Sequence, residues 1–93
     1  ITLNLPYELT QEQWLAVAQV FREMDGWVGY AEDDITPQWY GALSSSKCVW
    51  ASLEPSGLMV EGNLDHAHWT GWISTLSARL SLALHREVRD AEM

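Results

Sequence analysis

The chain has 93 residues, 47% hydrophobic and 19% charged, which places it among globular rather than disordered sequences and leaves room for one domain over 1–93. Thirteen acidic against five basic side chains give a formal net charge of −8. That balance argues against binding nucleic acid, which needs basic surface to displace counterions, and against docking on an anionic membrane.

A single cysteine, Cys48, excludes an internal disulfide. With one cysteine, no signal peptide visible in these residues and no apolar run near the roughly 20 residues of a membrane span, a reducing, cytoplasmic setting is expected. The opening on Ile1 rather than Met fits a trimmed initiator or short leader.

In chain order, "ITLNL" (1–5) alternates and is β-prone, and Pro6 ends it. Thr10 and Gln13 in "TQEQ" have the spacing of a capping box, so a helix is expected to start there. Trp14, Val17, Ala18, Phe21 and Met24 recur at helical spacing as its apolar face, and Asp25-Gly26 stops it, with Gly26 suited to the left-handed C′ position.

Residues 27–36 read as a connection holding the acidic run. "QWYGAL" (38–43) reads as a short strand and "SSSK" (44–47) as a polar turn. "CVWASL" and "LMVEG" are β-prone runs joined by "EPSG", in which Pro55 and Gly57 fit positions i+1 and i+3 of a hairpin turn. Alternation sets Val49, Ala51 and Leu53 on one face and Cys48, Trp50 and Ser52 on the other, with Trp50 on the side turned to solvent.

Asp65 caps a second helix running to about His85, with the stripe Trp69, Trp72, Ile73, Leu76, Leu80 and Ala83. Arg79, His85 and Arg86 are expected to complement its C-terminal dipole. "VRDAEM" follows as a tail in which Val88 adds a small contact. The expected fold is α+β: a small two-layer domain, order β-α-β-β-β-α, with an antiparallel sheet of three to four strands against two amphipathic helices.

No chemistry-bearing motif stands out. His66 and His68 fall in a first helical turn, where i and i+2 diverge, so they are expected to be solvated rather than metal ligands. Glu32-Asp33-Asp34 lacks the alternating spacing of a calcium loop. Cys48 has no base near it in sequence, and no Gly-rich phosphate loop is present. No metal, no cofactor and no catalytic residue is expected.

What remains is surface. In "GYAEDDITPQWYG" (29–41) acids are interleaved with aromatics, the composition of an interface in which aromatics anchor and charges steer. The candidate partner-binding residues are Tyr30, Glu32, Asp33, Asp34, Trp39, Tyr40 and Trp50. The alternative is that Trp39 and Tyr40 are core residues beside a solvated acidic turn.

The segment "SLEPSGLMVEGNLD" (52–65), followed by "WTGWISTLSARLSLAL" (69–84) and "VRDAE" (88–92), together with small size and acidity, resembles the small acidic immunity proteins encoded beside bacterial polymorphic toxins, including contact-dependent growth inhibition systems. The resemblance implies a stoichiometric inhibitor of a cognate toxin, often a basic nuclease, that blocks its active site or an adjacent surface. It assigns no residue roles. The other readings are a different acidic interaction module, such as a phage-encoded inhibitor or an oligomerising adaptor, and a small enzyme or ligand-binding domain.

Overall fold

Thr10 closes the reciprocal capping box at the start of α1 (Gln11–Glu23): its hydroxyl accepts from the Gln13 N–H at 3.1 Å, and the Gln13 side chain accepts from the Thr10 N–H at 2.9 Å. Asp65 is the N-cap of α2 (His66–Leu84), its carboxylate accepting from the His68 N–H at 3.0 Å. The computed structural model describes residues 1–42 and 45–91. Its strands are β1 (Thr2–Leu3), β2 (Trp27–Tyr30), β3 (Pro37–Trp39), β4 (Val49–Glu54) and β5 (Gly57–Gly62).

The strands form one antiparallel sheet in the order β1-β5-β4-β3-β2, so the α+β expectation holds with five strands instead of three to four. The added strand is β2, within the segment expected to be a connection. "WVGY" is short, contains a glycine, and carries a register shift between Trp27 and Gly29, so it shows no clean alternation. The "EPSG" turn is as expected: Glu54 pairs with Gly57 across Pro55 and Ser56. Gly57 has φ +134°, and a Cβ there would run into the Leu3 carbonyl of β1, so both the turn and the neighbouring strand require glycine.

Both helices cover one face of this sheet. The core joins Val49, Ala51, Leu58 and Val60 of the sheet to Val17, Val20 and Phe21 of α1 with its C-cap Met24, and to Trp72, Ile73, Leu76 and Leu80 of α2. Trp39 lies at its centre, fully buried, with edge-to-face contacts to Phe21, Trp27 and Trp72 at centroid distances of 5.4, 5.6 and 4.9 Å. Trp14 departs from expectation: it is 38% exposed, because the buried stripe of α1 runs through Val17, Val20, Phe21 and Met24 and leaves Trp14 at the rim.

α1 ends at its C-cap Met24 in an extended conformation, and Gly26 has the expected positive φ, +86°, at one position beyond C′. The carbonyls at this end find side-chain donors: Phe21 O accepts from Trp39 Nε1 at 2.9 Å, Glu23 O from Arg79 Nη1 at 2.7 Å, and Asp25 O from Trp72 Nε1 at 3.0 Å. Arg79 therefore serves the C-terminus of α1, not that of its own helix. α2 is closed by His85 in the left-handed region, φ +53°.

The tail does more than the small contact expected of it. Val88 is buried, and its N–H donates to Ser81 Oγ at 2.9 Å. The Asn4 N–H donates to Arg89 O at 2.9 Å and the Ala91 N–H to Thr2 O at 2.8 Å, so residues 88–91 run along the β1 edge. Leu43 and Ser44, in the expected strand and polar turn, and Glu92 and Met93, in the tail, lie outside the described residues. No helix among the described residues is long and apolar enough to cross a membrane.

Candidate functional site

The acidic run forms the tip of the β2–β3 hairpin. The loop is closed by the Ala31 N–H on Thr36 O at 2.8 Å and the Asp34 N–H on Ala31 O at 2.9 Å. Within it Asp33 is committed to the loop's own structure. Its carboxylate accepts from Thr36 Oγ1 at 2.6 Å and from the N–H groups of Ile35 and Thr36 at 3.0 and 2.9 Å. The Thr36 hydroxyl, followed by those two backbone donors, holds its carboxyl below the usual carboxylate range.

Asp33 was a candidate partner-binding residue, and its acceptor capacity is largely spent inside the turn. Asp34, at φ +60°, sits in the left-handed region that Asp tolerates, and with Glu32 it is exposed. Among the described residues, nothing engages the carboxylates of Glu32 and Asp34. The same tight turn throws Ile35 outward, leaving it 77% exposed.

An apolar cleft lies between this tip and α1. Trp14, Ala18 and Phe21 form one wall, and Tyr30, Ile35 and Pro37 the other, around a volume of about 320 Å³, with Asp34 at its margin. A second hollow of about 220 Å³ shares Trp14, Phe21, Ile35 and Pro37 and continues over Leu53 and Leu58. Tyr30, at 44% exposure, joins Trp14 and Ile35 in a patch of large apolar surface beside two available carboxylates. Trp14 and Ile35 were not among the candidates. Ile35 was legible as a bulky apolar residue inside an acidic loop, with no periodic partner; Trp14 was hidden by its fit to the helical stripe.

Trp39 corrects the expectation of an anchor. It is wholly buried, and its indole N–H is used by Phe21 O, so it supports the site from within. Tyr40 is also turned away from the tip. Its backbone N–H donates to Gly26 O at 2.7 Å, and its ring occupies the space that a side chain at position 26 would need.

The Tyr40 phenol donates to Asp25 Oδ2 at 2.6 Å and lies 2.8 Å from His68 Nε2. With its proton directed to Asp25, we assign the hydrogen on His68 Nε2 and let the phenol oxygen accept it. Burial, reinforced by the hydrogen bond to Asp25, raises the Tyr40 pKa well above its ordinary value. The phenol therefore stays neutral and offers neither a nucleophile nor a base near pH 7. His68, expected to be solvated, is half-buried and tied to Tyr40. The three side chains hold the end of α1, the end of β3 and the start of α2 together, and a shallow cleft of about 290 Å³ bordered by Tyr40, His68, Trp72 and Arg79 lies beside them.

Trp50 lies on the sheet face away from the helices, opposite Gln38 and Glu61 in the register, and is half-buried. It borders a shallow hollow of about 390 Å³ with Cys48, Glu61 and Trp69 at one end of the sheet, apart from the hairpin tip. The seven candidates thus separate: Tyr30 and Asp34 line one cleft, Glu32 is exposed in the same loop, Asp33 builds that loop, Trp39 and Tyr40 support the hairpin from its base, and Trp50 lies elsewhere. Among the described residues, no group of three or more His, Cys, Asp or Glu side chains is placed to hold a metal ion. No family model matches the chain, and comparison with curated proteins and with solved structures gives no match.

Proposed function

We propose that this domain is an immunity protein: it binds a cognate bacterial toxin domain in the cytoplasm and neutralises it stoichiometrically, without catalysis. The partner its charge fits best is basic, as a nuclease must be where it holds phosphates. The observation that carries the reading is the hairpin tip, where the unengaged carboxylate of Asp34 borders a cleft lined by exposed Tyr30, Trp14 and Ile35, with exposed Glu32 in the same loop, on a protein of net charge −8. Acids of this kind speed encounter with a basic surface, and the apolar neighbours hold the complex once formed. An inhibitor that protects its own cell depends on that speed.

The test is co-expression with the toxin domain encoded beside it. Restored growth, a one-to-one complex and loss of toxin activity on titration support the proposal. A toxin that stays active in the presence of excess folded protein refutes it, and binding to a non-toxic partner would mark a different acidic interaction module.

A further inference from the structure

The cleft between α1 and the hairpin tip is specific enough to describe what enters it. We infer that it seats one bulky apolar side chain from a basic protein segment, with a Lys or Arg on either side of that residue reaching Asp34 and Glu32. This deepens the reading of the domain as a binder of a basic toxin and rests on it for the partner's identity, but not for the chemistry of the cleft.

The observations converge on one occupant. The walls, Trp14, Phe21, Tyr30, Ile35 and Pro37, offer apolar surface, and the two adjoining hollows of about 320 and 220 Å³ are open to solvent side by side. No Lys or Arg lines either hollow, while Asp34 lines the larger and Glu32 lies two residues before it in the same loop. An anionic ligand entering here meets only repulsion. A second copy of this chain would bring another net charge of −8 against the first, which disfavours a homodimer across this face. A cation alone would leave the apolar walls wet, and an apolar group alone would leave the carboxylates without counter-charge. A segment that alternates the two satisfies both, with the indole of Trp14 and the ring of Tyr30 available to a guanidinium or ammonium group.

The three carboxylates then divide their roles. Asp33, bonded three times inside its own loop, fixes the turn that holds Ile35 out and shapes the cleft. Glu32 and Asp34 meet the partner.

The experiment titrates isotopically labelled protein with a synthetic peptide, acetyl-Gly-Lys-Arg-Phe-Lys-Arg-Gly-amide, and follows the indole N–H of Trp14 and the amides of residues 30–36 by NMR. Two control peptides replace Phe by Ser, or all four basic residues by Gln. The inference expects shifts centred on Trp14, Tyr30 and Ile35 with the parent peptide, and affinity at least about tenfold lower for each control and for Ile35→Ser, an exposed substitution that leaves the core intact.

Shifts centred on Tyr40 and His68, equal binding of the Ser control, or a concentration-dependent self-association that shields the cleft would each overturn it. The two proposals fail separately. A neutralised toxin whose affinity is unchanged by Ile35→Ser sinks this inference and leaves the function, whereas peptide binding here with no toxin neutralised does the reverse.

Discussion

The two ends of the β2–β3 hairpin are made of similar residues and behave in opposite ways. At the base, Asp25, Trp39 and Tyr40 combine an acid with aromatics, as the tip does with Tyr30, Glu32 and Asp34. The base acid is the acceptor of a phenol, the Trp39 N–H is spent on Phe21 O, and the Trp39 ring is fully buried. The tip keeps two carboxylates and the apolar side chains of Tyr30 and Ile35 open to water, facing the exposed Trp14 of α1. Composition alone does not distinguish scaffold from interface; the state of each hydrogen-bonding group does, because a saturated polar group has little left to offer a partner.

The largest effect should come from emptying the base. Trp39→Ala removes the side chain at the centre of the aromatic cluster and also leaves Phe21 O without its indole donor, so a loss of about 3–5 kcal/mol is expected. Chemical denaturation monitored by circular dichroism measures it. A loss below about 1 kcal/mol would deny Trp39 its structural role.

Next comes Tyr40→Phe, which keeps the ring and deletes the hydroxyl shared by Asp25 and His68. About 1–2 kcal/mol should be lost. The sign of its pH dependence follows from the raised pKa: the phenol's contribution is complete below the unfolded value near pH 10 and is lost as pH rises toward the higher folded value. The wild type should therefore lose stability in strong alkali, and Tyr40→Phe should lose less over the same interval. Parallel curves would count against the Asp25–Tyr40–His68 bonding.

At the tip and at the α2 cap the sign is opposite. Asp33 is lowered chiefly by the Thr36 hydroxyl, and Asp65 by the His68 N–H. Their contributions are complete above the unfolded carboxyl pKa, near pH 4, and are lost as pH falls through the lower folded values. Asp33→Asn and Asp65→Asn should each flatten the fall of the urea midpoint between pH 5 and pH 2 by a small, measurable amount. Variants that track the wild type across that range would contradict these assignments.

The elements set by local chemistry are legible in the sequence. Thr10 with Gln13, Asp65, and Pro55 with Gly57 are local devices whose partners lie within four residues, and the stripe of α2 repeats often enough to be unambiguous. The elements that the sequence does not mark depend on distant partners. β2 is a strand because β3 pairs with it, across a bulge that breaks its alternation. Residues 88–91 matter because Thr2 and Asn4 accept and donate to them from the other end of the chain. Trp14 and Trp39 are the same residue type in equally plausible patterns, and only the packing of α1 against the sheet sends one to the rim and the other to the centre. The site was half legible for the same reason: its acids and one apolar wall are contiguous in sequence, but the other wall is supplied by a helix whose first turn lies some twenty residues upstream.

The smallest effect on folding should accompany the largest effect on binding, and that pairing is the most direct test. Association with the toxin domain proposed as its partner would be timed by stopped flow for Glu32→Gln/Asp34→Asn and for Tyr40→Phe, at low and at physiological salt. If the tip is the interface and the base its support, the tip variant folds with wild-type stability and associates several-fold more slowly at low salt, the gap narrowing as salt rises. Tyr40→Phe, though less stable, associates at the wild-type rate. An unchanged rate and salt dependence for the tip variant, or slowed association of folded Tyr40→Phe, would contradict the account.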